Sequence, residues 1–319
     1  MRNSDSDPDA MDWQSEPVRY HSQPSQLLPA HLSLGPKPNH AHTHTVIFLH
    51  GRGDTAANFG RGLAWQHSWT DAARRTPMDV FPSFRWVLST AGVKACANAA
   101  VGSGSSGAAA MSQWFDVWGG AANLDEREEV QLAGLRDSVR RIRAVIDQEA
   151  RTLGGRYDKI VLMGLSQGGA TAVSTLLSLG DRDYEWQKDT SKSGPVAGRA
   201  EHQRLGALVG IACRMLFPGR TLAQWRALVG VLGDGDGDVQ GEGKGGGANK
   251  VLQNTPVFLE HTVDDPLVRI EAARQLRDTL TAYGAKMEWK EYATGGHWFH
   301  SPQGLDDLAA FLTRVLPRD

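Results

Sequence analysis

Cysteine is scarce in this chain: Cys96 and Cys213 are the only two in 319 residues, too few for a disulfide framework. Both are read as reduced structural thiols, since neither sits on the strand-turn-helix junction that exposes a nucleophile. Long apolar runs are also missing. Nothing approaches the roughly 18 residues that a membrane-spanning helix requires, and the opening Met1-Arg2-Asn3-Ser4-Asp5-Ser6-Asp7 has no apolar core of a secretion signal. A Met-Gly start for myristoylation and a C-terminal Cys box are absent. From these absences the protein is expected inside the cell, in the cytoplasm with a nuclear share left open, and without stable membrane insertion. Charge of one sign is lacking too: 34 Lys and Arg stand against 36 Asp and Glu. Neither nucleic acid nor an anionic membrane is expected as the primary partner.

What is present suits an ordinary globular protein, with 40% hydrophobic residues. Residues 1–43 are rich in Ser, Pro, His and Asp without apolar periodicity and are expected to form a disordered tail. Residues 44–319 are expected to form one folded domain, interrupted by flexible insertions at about 181–203, polar with Lys, Asp, Ser and Gly, and about 233–250, mostly Gly, Asp and Glu. A long helix over about 125–153 places Leu132, Leu135, Val139, Ile142 and Ile146 on one face. Later helices over about 268–283 and 305–316 alternate with strands, which predicts an α/β fold with a mostly parallel sheet and helices on both faces. A site is then expected at the carboxyl ends of the strands.

The segment Gly164-Leu165-Ser166-Gln167-Gly168 follows the apolar run Ile160-Val161-Leu162-Met163 and leads into the small residues Gly169-Ala170-Thr171-Ala172. That is strand, sharp turn and helix, the setting of a nucleophilic serine whose flanking glycines avoid a Cβ collision. Downstream, the strand Pro256-Val257-Phe258-Leu259-Glu260 is followed by two acids, Asp264 and Asp265, and the segment ending at Tyr292 by Ala293-Thr294-Gly295-Gly296-His297. Serine, aspartate and histidine thus follow in the order of an α/β-hydrolase triad. Upstream, Thr45-Val46-Ile47-Phe48-Leu49 runs into His50-Gly51-Arg52-Gly53-Asp54. Its glycines allow a backbone N–H to reach a substrate oxygen, so the oxyanion donors are assigned to the N–H groups of Arg52 and Gln167. His50 is read as ordering that loop rather than as the base.

These segments, together with Trp114-Phe115-Asp116, Ile146-Asp147-Gln148-Glu149 and Asp265-Pro266-Leu267-Val268, resemble the acyl-protein thioesterase, lysophospholipase and carboxylesterase family of α/β-hydrolases. The likeness runs in the family's order across most of residues 44–317. It implies an α/β-hydrolase catalytic domain with Ser166 as nucleophile, Asp265 rather than Asp264 as the triad acid, and His297 as base. Trp114 and Phe115 read equally as a core aromatic pair or as residues beside the acyl pocket, and are taken as substrate-binding. The chain departs from the family's pattern at Arg52, where members usually carry leucine, and at Arg269, where proline commonly follows. It departs too in the Ala/Gly/Ser stretch at 95–111 and at Cys213-Arg214.

The resemblance implies S-acylated proteins as substrates and a depalmitoylating thioesterase. A broad carboxylesterase or lysophospholipase acting on small acyl esters is the alternative, and an inactive binding protein with this fold the third reading. The triad supplies nucleophile, base and acid together, so no cofactor and no metal are expected. The His40, His42 and His44 triplet and the Asp234 to Asp238 run lack the further ligands of a zinc or calcium site. A homodimer stays open, because members of the family pair over the active-site mouth.

Overall fold

The computed structural model describes residues 14–16, 31–64, 75–97, 110–119, 124, 126–180, 203–230 and 250–317. The expected insertions, apart from their boundary residues 203 and 250, and most of the 95–111 stretch lie outside them. In chain order the elements are β1 (Gln14–Glu16), β2 (His31–Leu34), β3 (His44–Leu49), α1 (Ala56–Ala64), α2 (Pro77–Val80), β4 (Phe84–Ser89), β5 (Val93–Ala95) and β6 (Ala110–Ser112). They continue with α3 (Gln131–Thr152), β7 (Ile160–Leu165), α4 (Gln167–Ser178), β8 (Ala207–Ile211), α5 (Leu222–Val229), α6 (Lys250–Asn254), β9 (Pro256–Thr262), α7 (Ile270–Ala282), β10 (Lys286–Tyr292) and α8 (Gln303–Val315).

Eight strands form one sheet in the order β1-β2-β4-β3-β7-β8-β9-β10. From β4 to β10 every pairing is parallel. The central strands β3, β7 and β8 are buried at every position, which is why they read as continuous apolar runs rather than as alternation. Their residues divide by parity between two cores. Ile47, Leu49, Leu162 and Leu208 pack with Leu135, Val139 and Ile142 of α3 and with α4 and α7. Val46, Phe48, Met163 and Val209 pack with Phe59 of α1, Met78 of α2 and Phe311 of α8. Helices therefore cover both faces, as the alternation of elements predicts.

Two expectations change. The sheet reaches back into the stretch expected as tail: β2 pairs antiparallel with β4, Leu32 opposite Leu88, and β1 pairs antiparallel with β2. Four residues are too few for a periodic signal: one face carries the buried polar residues His31 and Ser33, the other Leu32 and Leu34 against the core. The long helix begins at Gln131, not near 125, because only from there do apolar side chains recur on the core face. Among the described residues no helix is long and apolar enough to cross a membrane.

Candidate active site

At the carboxyl end of β7 the chain turns through Ser166, whose φ of 57° and ψ of −120° lie outside the regions open to most L-residues. Such a conformation costs about 1–3 kcal/mol and persists only where its surroundings enforce it. Here Ser166 N–H donates to Ile211 O at 2.8 Å and α4 starts at the next residue. The flanking glycines are steric necessities: a Cβ on Gly164 would lie 2.3 Å from Gly168 O, and one on Gly168 would lie 2.3 Å from Leu49 O. Both obstacles are backbone and cannot rotate aside.

The loop after β3 runs alongside. A Cβ at Gly51 would sit 3.6 Å from Ser166 Cβ, so the two turns are in van der Waals reach. His50 is fully buried; its Nε2 accepts from Ala91 N–H at 3.0 Å, which leaves Nδ1–H to donate to Gly51 O at 2.8 Å. Burial lowers its pKa and keeps the imidazole neutral. It orders the loop, as the sequence suggests. Gly53 N–H donates to Ser112 O at 2.7 Å, and Arg52 Nε donates to Gln113 Oε1 at 3.0 Å. Among the described residues the backbone N–H groups of Arg52 and Gln167 have no acceptor of their own. The Gln167 N–H also heads a helix, where the dipole favours negative charge.

Trp114 and Phe115 take the core position, one of the two readings their sequence allows. They are 1% and 2% exposed, within the core cluster under α3, where a Cβ on Gly134 would meet Phe115 Cα at 2.8 Å. Aromatic side chains of this size are driven into the core by the area they bury. Their polar groups act as a brace instead. Trp114 Nε1–H donates to His50 O at 2.8 Å, Trp114 N–H to Gln167 Oε1 at 2.8 Å, and Gln167 Nε2–H to Phe115 O at 2.7 Å. One dipeptide thereby links the loop after β3 to the start of α4.

The acid and the histidine meet beyond β9 and β10. His297 Nδ1 lies 2.7 Å from Asp265 Oδ2, while Asp265 Oδ1 accepts from the N–H groups of Leu267 and Val268 at 2.8 and 2.9 Å. Burial alone would raise the Asp265 pKa, but these hydrogen bonds outweigh it and hold the carboxyl below its ordinary value. An ionised Asp265 fixes Nδ1–H on His297 and leaves Nε2 available as a base. Ser166 Oγ and His297 are not hydrogen-bonded to each other in this state. Asp264, the other acid in the sequence, takes a separate position: it accepts from Gly295 and Gly296 N–H at 3.2 and 2.9 Å.

A model of the phospholipase/carboxylesterase family matches residues 36–182. The chain is 27% identical over 280 residues to acyl-protein thioesterase 1 of Gibberella zeae, covering 86% of this chain and 92% of that one. It is 25% identical over 276 residues to the Saccharomyces cerevisiae protein of the same name, covering 85% and 92%. Among solved structures, Zea mays acyl-protein thioesterase 2 superposes with a TM-score of 0.61 at 20% identity, covering 91% of this chain and 100% of that one, a likeness of fold.

Over residues 36–182 the chain is similar to the phospholipase/carboxylesterase family of α/β-hydrolases.

In this hydrolase the sequence brought Ser166, Asp265, His297, Arg52 and Gln167 forward, and the fold gathers all five at one end of the sheet. Two residues of β9, Glu260 and Thr262, escaped notice. Thr262 Oγ1–H donates to Gly296 O at 2.6 Å, and Glu260 Oε1 accepts from His300 N–H at 3.2 Å, so with Asp264 they grip the loop on both sides of His297. Their common parity along one strand was the available signal, since side chains two apart share a face. His261, of the opposite parity, places Nε2 2.7 Å from Val268 O and 3.4 Å from Asp265 Oδ2. Burial lowers its pKa, so it lies beside the acid uncharged.

Proposed function

We propose that this hydrolase is a serine thioesterase that removes long acyl groups, palmitoyl foremost, from protein cysteines. It acts on acyl thioesters and esters, and the narrower substrate is supported by relatives named acyl-protein thioesterase 1 that span most of the chain. The observation that carries the chemistry is the 2.7 Å contact of His297 with a buried, ionised Asp265 at the end of the sheet where Ser166 is held in a strained turn.

In this reading Ser166 is the nucleophile, His297 the base and Asp265 the acid that orients it. The Ser166 to His297 hydrogen bond closes when substrate arrives, as catalytic bonds often do. Nε2 then takes the hydroxyl proton as Oγ attacks the acyl carbonyl. Negative charge develops on the former carbonyl oxygen, and the N–H groups of Arg52 and Gln167 receive it; a preformed donor of this kind is worth about 10² to 10³ in rate. His297 gives the proton to the departing thiol or alcohol. Water, activated by the same Nε2, releases the acid from the acyl-enzyme.

A broad carboxylesterase or lysophospholipase for short and medium acyl esters is the second reading. It is favoured by the burial of Trp114 and Phe115 in the core, where they are 1% and 2% exposed. The cytoplasm is the expected compartment in either case. The test compares wild type with Ser166→Ala for fluorophosphonate labelling and for hydrolysis of a palmitoyl thioester and a short nitrophenyl ester. Loss of all three in the variant, with the long thioester preferred by wild type, is the expected result. Preference for the short ester moves the assignment to carboxylesterase. An unlabelled, inactive wild type favours a binding protein, and a variant that keeps turnover overturns Ser166.

A further inference from the structure

Glu260 lies deep in β9, 3% exposed, one residue before His261 and beneath the segment that carries His297. We propose that Glu260 is a positioning residue for His297 and that it acts as a neutral carboxylic acid, anchoring the downstream end of the histidine loop. The inference rests on the serine-hydrolase reading above.

The loop has two anchors. Ahead of His297, Gly295 and Gly296 are held by Asp264 and Thr262. After it, the side-chain anchor is Glu260 Oε1, which accepts the His300 N–H at 3.2 Å. Between the anchors, Trp298 and Phe299 pack edge-on against Phe59 and Phe48, so a displaced His300 would carry the histidine backbone with it. The other oxygen, Oε2, is buried and has no hydrogen-bond partner among the described residues. The start of α8 presses against it, since a Cβ on Gly304 would lie 2.8 Å away.

That environment disfavours charge. The titratable groups around Glu260 are His300, whose ring stacks on Tyr292 at 3.9 Å, Tyr292 itself, Asp307 of α8, and Lys290, its register partner on β10. Tyr292 Oη–H donates to Asp307 Oδ2 at 2.9 Å, and Lys290 Nζ lies 3.4 Å from Asp307 Oδ1, so the nearby cation is engaged by another acid. Neighbouring His261 is uncharged, its pKa lowered by burial. Burial, with Asp307 adding repulsion, pushes the Glu260 carboxyl up to about 8. The carboxyl is protonated at pH 7 in the folded protein. Above pH 8 it ionises with one oxygen unpartnered, and the site relaxes by letting solvent reach it, which frees the His300 end of the loop.

The experiment measures the rate of fluorophosphonate labelling of Ser166, and kcat/KM for a nitrophenyl ester, from pH 6 to 9.5 in wild type, Glu260→Gln and Glu260→Ala. Labelling reads the nucleophile and base without regard to substrate class. Wild type should slow by about fivefold between pH 8 and 9, as one ionisation near 8 requires. Glu260→Gln, an uncharged isostere that still accepts from His300, should match wild type at pH 7 and stay flat to pH 9. Glu260→Ala should lower kcat at every pH with little change in KM. A wild-type rate with no alkaline fall overturns the proposal without any variant. An alkaline fall unchanged in Glu260→Gln, or a Glu260→Gln protein inactive at pH 7 while melting like wild type, overturns it too. Wild type that is never labelled removes the serine-hydrolase reading, and this inference with it.

Discussion

Replacing Asp265 by asparagine changes one atom and should disable the site through a single proton. Asp265 Oδ1 accepts two backbone N–H groups, from Leu267 and Val268, at 2.8 and 2.9 Å. An asparagine has two ways to lie in that position. With its oxygen toward the two N–H groups, it keeps both bonds and turns its NH₂ toward His297 Nδ1. With the amide reversed, NH₂ faces two other donors, at a loss of two hydrogen bonds worth about 1 kcal/mol each and a further penalty for stranding buried N–H groups. The first arrangement wins. His297 Nδ1 must then accept, its proton moves to Nε2, and the atom that should receive the Ser166 proton already carries one. The same change in a serine protease triad costs about 10⁴ in kcat, roughly 5 kcal/mol of barrier. Asp265→Asn is expected to fall by that order in kcat and in fluorophosphonate labelling rate, while circular dichroism shows an intact fold. The stability effect has a definite sign as well. The native carboxyl titrates below its ordinary value, so its stabilising contribution is present above about pH 4 and is lost as pH falls through the lowered folded value. The stability deficit of Asp265→Asn should therefore shrink in acid. A variant that folds like wild type and keeps kcat within tenfold would refute the assignment of His297 as a base oriented by Asp265.

Two further substitutions probe the turns around Ser166. Gly168→Ala pushes a methyl into Leu49 and His50 carbonyls at 2.3 and 2.5 Å; overpacking against rigid backbone should cost at least about 1–3 kcal/mol in urea denaturation and lower labelling, and an unchanged midpoint would show that the elbow yields. Gln167→Ala keeps the backbone donor but leaves Trp114 N–H without its 2.8 Å acceptor and Phe115 O without its donor. A loss of about 1–3 kcal/mol in stability is expected, together with reduced kcat, and full activity at unchanged stability would remove the brace from the argument.

Much of this site is legible in the sequence because each component is local. Ser166, Arg52 with Gln167, and His297 follow contiguous strands; the central ones, β3 and β7, are unbroken apolar runs that stand out, and β10 before His297 is a mixed polar and apolar edge strand. Glycine beside Ser166 marks a close backbone approach, which the 2.3 Å distances bear out. What escaped notice depends on neighbours far along the chain. Trp114 and Phe115 read equally as core or as pocket residues in the sequence; α3, whose Gly134 lets their backbone come close, decides their burial. Glu260 reads as the polar end of a strand until α8 closes over it. In β2 only Leu32 and Leu34 face the core as apolar residues, too short a pattern to recognise. The choice of Asp265 over Asp264, which the resemblance implied, has its physical ground in tertiary geometry: adjacent residues point to opposite sides, one to the loop backbone and one to the imidazole.

The antiparallel strand β2 carries a consequence for how the protein behaves in a crowded solution. Without it, β4 would be the rim of a parallel sheet, showing a row of unpaired peptide groups beside Trp86 and Leu88, an open template for another molecule's strand. The opposite rim, β10, is guarded by its composition, since Lys286, Glu288, Lys290 and Glu291 would bring charge into any intermolecular ladder. The chain's early residues thus serve as a selvedge: trimming the protein back to His44 would leave the triad's strands intact and yet expose a rim prone to stacking edge upon edge.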